Sequence, residues 1–106
     1  MTLPTTQVYV GKPREAVTAV YWNGAYQNGE LLEIKNWIES VAPNLQINTF
    51  DTTIDEMVVP YVLYFNDPVT NVGGQVIAGG YVFLDSDGKV RVLDATIFEI
   101  LFQQQV

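Results

Sequence analysis

The chain of 106 residues contains neither histidine nor cysteine, which excludes Ser-His and Cys-His catalysis, disulfides and any ordinary structural zinc site. Its length suits one domain with its own core, and 48% hydrophobic residues is too high for a disordered chain. Twelve acids against five bases give a formal net charge of −7; the bases are scattered, so a phosphate backbone is not an expected partner.

Residues 1–7 are polar around Pro4 and read as a loose N-terminal arm. Met1 to Val10 lacks a basic region and a long apolar run, so it does not read as a signal peptide. The stretch 8–22 alternates imperfectly, with a break at Lys12-Pro13. Its β-branched and aromatic residues favour a strand over 15–22, with Pro13 at an edge or strand entrance. Asn23-Gly24 and Asn28-Gly29 bracket a loop. Asn28 is placed to cap a helix that starts at Gly29 or Glu30. Leu31, Ile34, Trp37, Ile38 and Val41 follow at spacings of three and four, which puts them on one helical face. Pro43 stops the helix and pushes Ala42 out of helical geometry.

Residues 45–50 alternate as a strand, and the polar 51–56 read as a turn. Residues 57–65 (MVVPYVLYF) are almost continuously apolar, the mark of a well-buried strand, interrupted by Pro60. Asn66-Asp67-Pro68 turns the chain, and Asn71 to Gly74 reads as a flexible connection. Asp87-Gly88 lies between two apolar runs, 81–84 and 89–93, and predicts a hairpin. Asp94 is a candidate cap for a short helix through Ala95, Ile97 and Phe98, and Ile100 to Phe102 reads as a last strand. No apolar stretch reaches the ~20 residues that a bilayer-spanning helix needs.

Candidate chemistry is sparse. Asp85-Ser86-Asp87-Gly88 resembles the start of a calcium loop, but the twelfth position from Asp85 is Thr96 rather than a bidentate Glu, and the flanks are strands. A hairpin accounts for the run better. Gly73, Gly74, Gly79 and Gly80 match neither a phosphate loop nor a dinucleotide fingerprint, and Gly79-Gly80 is read as a bulge or bend inside the sheet. Asp51, Asp55 and Glu56 cluster in a solvated turn, with no apolar pocket to push their pKa values apart. No catalytic residue, metal site or cofactor is assigned. The dispersed acids read as a solvated surface rather than as a mimic of DNA.

The aromatic residues carry more information. Trp37, Phe83 and Phe98 are expected in the core. Tyr26, Tyr61, Tyr64 and Phe65 are the candidate interface, because Trp and Tyr join apolar area to a polar handle. In a regular strand Tyr61, Leu63 and Phe65 share one face, and Val62, Tyr64 and Asn66 the other. A strand apolar on both faces needs covering on both, by this chain or by a second copy.

Two segments together resemble a known family. One is Lys12-Pro13-Arg14-Glu15-Ala16-Val17 leading to Trp22-Asn23-Gly24, then the helix with Trp37-Ile38. The other is Gly79-Gly80-Tyr81-Val82-Phe83, Asp87-Gly88-Lys89-Val90-Arg91-Val92 and Ile97-Phe98. This pattern is similar to that of small proteins encoded by tailed bacteriophages and prophages, many infecting actinobacteria. Gly80 stands where an acidic residue is usual before the aromatic, Tyr21 separates the Val from Trp22, and Phe102 replaces a common Tyr. The family has no established shared activity, so the resemblance implies a source and carries no functional residue across.

The expected architecture is a single α+β domain, one amphipathic helix on a mainly antiparallel, twisted sheet of about five or six strands. The expected function is that of a non-enzymatic phage accessory protein in the host cytoplasm, binding a host protein or itself, with no nucleic acid or membrane as partner. Alternatives are a minor virion or assembly component and a small-ligand-sequestering protein. The last requires a pocket lined by aromatics and at least one of Lys12, Arg14, Lys89 or Arg91.

Overall fold

The computed structural model describes residues 3–11 and 16–104. The expectations placed on Lys12, Pro13 and Arg14 lie outside them. In chain order the elements are β1 (Gln7–Gly11), β2 (Ala16–Trp22), α1 (Glu30–Val41), β3 (Gln46–Ile54), β4 (Met57–Asn66), β5 (Gly73–Gln75), β6 (Gly80–Leu84), β7 (Val90–Asp94), α2 (Ala95–Leu101) and β8 (Phe102–Gln104). The protein is α+β, with a helix packed against antiparallel sheet. Among the described residues the strands fall into two sheets: five strands in the order β7-β6-β2-β1-β8, and three in the order β3-β4-β5. The smaller sheet and α1 form an excursion between β2 and β6, which pair directly from Thr18–Leu84 to Trp22–Gly80.

Composition explains the larger sheet. β2 and β6 are two of its three inner strands, and apolar residues on both of their faces are covered. Val20, Trp22 and Val82 join α1 and the smaller sheet in one core cluster with Leu31, Ile34, Trp37, Ile38, Leu63 and Phe65. Val17, Ala19, Tyr81 and Phe83 face the other way and pack on Phe98 of α2. Period-two alternation divides each strand between the two clusters, so a run such as Tyr81-Val82-Phe83 is apolar throughout. Trp37, Phe83 and Phe98 lie in the core as expected.

α1 follows the sequence periodicity: Leu31, Ile34, Trp37 and Ile38 are its buried residues. Ala42 leaves helical geometry at φ −144° and ψ 70°, ahead of Pro43. Its start differs from expectation. Gly29 occupies the cap position at φ 81° with no side-chain cap, and the Asn28 N–H donates to the Glu30 carboxylate at 3.3 Å. The left-handed conformation suits glycine, and it displaces Asn28 from the capping role.

Residues 51–54 continue β3 instead of turning. The turn is only Asp55-Glu56, both at positive φ (50° and 67°), between the paired Ile54 and Met57. Two left-handed residues make the tight connection whose twist matches paired strands. The register slips once. Phe50 pairs with Val62 and Asp51 with Pro60, so Tyr61 is the extra residue of a β-bulge. Pro60 is tolerated beside this bulge because β5 pairs β4 only from Tyr64 to Asn66, leaving the far side of Pro60 without a strand.

Three smaller readings change as well. The arm ends before Gln7, which enters β1; part of Asn71–Gly74 becomes β5; and Ile100 and Leu101 extend α2, so the last strand starts at Phe102. Gly79 closes a turn and Gly80 opens β6, in place of a bulge or bend inside the sheet: the Gly80 N–H donates to the Ile77 carbonyl at 3.1 Å, with Gly79 at φ 73°. The Asp94 cap is as expected, its carboxylate accepting the Thr96 N–H at 2.8 Å.

Candidate functional site

The β3–β4 hairpin carries an exposed aromatic cluster. Tyr61 contacts Tyr26 (ring centroids 6.1 Å) and Phe50 (6.5 Å), and Phe50 meets Tyr64 edge-on at 5.5 Å. Phe50 and Tyr61 are 54% and 42% exposed; nearer the hairpin tip the consecutive Met57 and Val58, on opposite faces of β4, are exposed as well. Tyr26, from the loop ahead of α1, and Tyr64 are half-buried. The bulge makes the cluster possible. It offsets Tyr61 from its regular place beside Leu63, so that Tyr61 and Tyr64 both reach Phe50 despite their odd separation.

Three of the four candidate interface residues, Tyr26, Tyr61 and Tyr64, are thus brought together. Phe65 is not among them: it is 5% exposed and belongs to the core cluster, on the β4 face that packs against α1. Phe50 was missed as a candidate, although it is the hub of the ring contacts. Its signal lay in the alternation from Leu45 to Phe50, which hides one face of β3 and exposes the other.

A second feature lies where the sheets approach each other. A cleft of about 700 Å³ is walled by β5, by β7 and by the chain after α1. Phe65, Phe83, Leu45 and Leu93 contribute apolar lining, and Lys89 and Arg91 contribute charge. These are the residue types that the small-ligand alternative requires. Arg91 is already engaged: its Nε lies 2.7 Å from Asp85 and its terminal nitrogen 3.1 Å from Asp87. The Lys89 N–H, and beyond it the Arg91 guanidinium, hold the Asp87 carboxyl below the ordinary carboxylate value. The Asp85–Gly88 run is therefore a hairpin turn whose carboxylates hold an arginine and a backbone N–H.

A buried phenol sits in the second core cluster. Tyr81 stacks on Phe98 at 4.1 Å, with its hydroxyl 3.5 Å from that of Tyr9 and from a Glu99 carboxylate oxygen. Burial, assisted by these two neighbours, pushes its pKa well above the ordinary tyrosine value. It does not line the cleft, and it reads as core chemistry. Among the described residues no group of three or more acidic side chains is placed to hold a metal ion, and no helix is long and apolar enough to cross a membrane. No family model matches the chain, and no curated protein or solved structure matches it.

Proposed function

We propose that this chain is a non-enzymatic binding protein that presents the aromatic surface of the β3–β4 hairpin to a protein partner. The observation that carries this reading is the exposed cluster Tyr26–Tyr61–Phe50–Tyr64. Large aromatics grouped on a surface are costly to leave in water and are the residue types that anchor interfaces. The sequence resemblance supplies the setting, a phage accessory protein acting in the host cytoplasm. Charge favours a different protein over a second copy as the occupant. Asp51, Asp55 and Glu56 lie on the same hairpin, and a symmetric dimer would bring two such acidic arms, on chains of −7 each, together.

The test is affinity capture from host lysate with the wild-type chain and with a Phe50→Ser, Tyr61→Ser double variant. Both positions are exposed, so the variant keeps its core. A specific protein recovered by the wild type and lost with the variant supports the reading. Equal recovery by both, or nothing specific by either, rejects it. Light scattering on the pure protein is expected to give the monomer mass.

The small-ligand alternative finds its cleft, but one of the two cations lining it, Arg91, is already held by Asp85 and Asp87.

A further inference from the structure

The ring contacts on the β3–β4 hairpin leave aromatic faces open. Tyr26–Tyr61 and Phe50–Tyr61 are tilted pairs and Phe50–Tyr64 is edge-on, whereas Tyr81 and Phe98 in the core are stacked at 4.1 Å. Phe50 and Tyr61 are the exposed members of the group. The face of an aromatic ring is the negative end of its quadrupole and attracts a cation. The hydroxyls of Tyr26, Tyr61 and Tyr64 have no hydrogen-bond partner among the described residues, so they add acceptors around the rings.

The charge beside these rings is of one sign. Asp51 follows Phe50 and pairs with Pro60, the neighbour of Tyr61. The Thr49 hydroxyl donates to its Oδ1 at 3.0 Å, and its Oδ2 has no partner. On the Tyr26 side, the Glu30 carboxylate accepts the Asn28 N–H at 3.3 Å. Asp55 lies five residues beyond Phe50 with Glu56 next to it, roughly 17 Å along the strand. That exceeds the Debye length of about 8 Å at physiological salt, so the tip acids bias the approach of a partner more than its contact. No Lys or Arg occurs between Lys35 and Lys89 in the sequence. Among the described residues the ion pairs are Lys35 with Glu39 and Arg91 with Asp85 and Asp87, and none involves a carboxylate of the hairpin.

We propose that the partner docks on this surface through arginine, a guanidinium lying on the open faces of Phe50 and Tyr61 and pairing with the Asp51 carboxylate. This deepens the hairpin reading above and rests on it. A guanidinium suits the site better than an ammonium. It is planar and weakly hydrated, so it leaves water at lower cost to stack on a ring, and its five N–H donors serve a carboxylate and phenol oxygens together. An acidic partner would meet Asp51 on a chain of −7. A purely apolar partner would cover the Asp51 carboxylate without a counter-charge. A second copy brings the same acids to the same surface.

NMR titration of the isotope-labelled chain tests the proposal. The probe is a capped glycine–serine peptide carrying spaced arginines, compared with counterparts in which lysine or glutamine replaces each arginine. The arginine peptide is expected to move the ring signals of Phe50 and Tyr61. It should bind at least about tenfold tighter than the glutamine peptide and about threefold tighter than the lysine peptide. Asp51→Asn should weaken it about threefold, and the Phe50→Ser, Tyr61→Ser double variant should abolish it. All three side chains are exposed, and amide spectra of the variants verify that the fold is kept. The proposal is overturned by an absence of ring shifts with the arginine peptide, by equal binding of the arginine and lysine or glutamine peptides, by binding that survives loss of the two rings, or by indifference to Asp51→Asn. The hairpin reading is judged apart from this: a host protein captured through Phe50 and Tyr61 leaves that reading standing where the arginine peptide fails.

Discussion

Tyr81 shows how one buried group ties pH to stability. Burial disfavours its phenolate, so the folded state holds the proton more tightly than the unfolded chain, whose ordinary value is 10.0. The stabilisation is complete below that value and is lost as pH rises above it. An ultraviolet phenolate titration should show one tyrosine ionising only with alkaline unfolding, and Tyr81→Phe should remove that late component. Asp87 works in the opposite sense. Its folded pKa is lowered from 3.8, so its contribution is present above that pH and fades as pH falls through the lowered value. The difference in thermal midpoint between wild type and Asp87→Asn should therefore shrink on acidification. At the hairpin tip, Asp55 and Glu56 hold a backbone conformation that Asn-Gly adopts more readily. Asp55→Asn with Glu56→Gly should raise stability by roughly 0.5–1 kcal/mol in denaturant melts, since relief of a left-handed side chain exceeds the added entropy of glycine.

At the scale of elements, α1 and the second helix start were legible because their signals are local. A three-four apolar repeat and a carboxylate two residues ahead of its N–H partner need no knowledge of the rest of the chain. Ile38→Ala should cost about 2–5 kcal/mol, since the side chain is fully buried and leaves a cavity between α1 and β4. Asp94→Ala should cost about 1 kcal/mol by removing the cap on Thr96. Chemical denaturation checks both. The start of α1 was misread because a left-handed Gly29 leaves no trace that separates it from a turn glycine beside a capping Asn. The β3–β4 hairpin was misread because its polar tip, Asp51 to Glu56, has turn-like composition. Exposed strand arms have little apolar alternation to reveal them. The bulge at Tyr61 follows from pairing with Phe50 and Asp51, and pairing is not a property of either strand alone.

At the scale of the whole molecule, the dimensions are 47 × 32 × 23 Å, and the β3–β4 hairpin is longer than the helix that packs against it. A ten-residue strand spans roughly 33 Å, more than the 12-residue α1 covers at ~18 Å. That excess length leaves Met57 and Val58, near the hairpin tip, in solvent. The sequence by itself determined the absence of thiol and imidazole chemistry, the α+β class, α1 and its buried face, and the core positions of Trp37, Phe83 and Phe98. Each depends on composition or on a period within one segment. Only the tertiary structure decided that the strands divide into two sheets, and that Phe65 turns inward while Tyr26 and Tyr61 meet. Those outcomes are set by strand order and register, which join residues far apart in the chain and are fixed by the closure of the whole core.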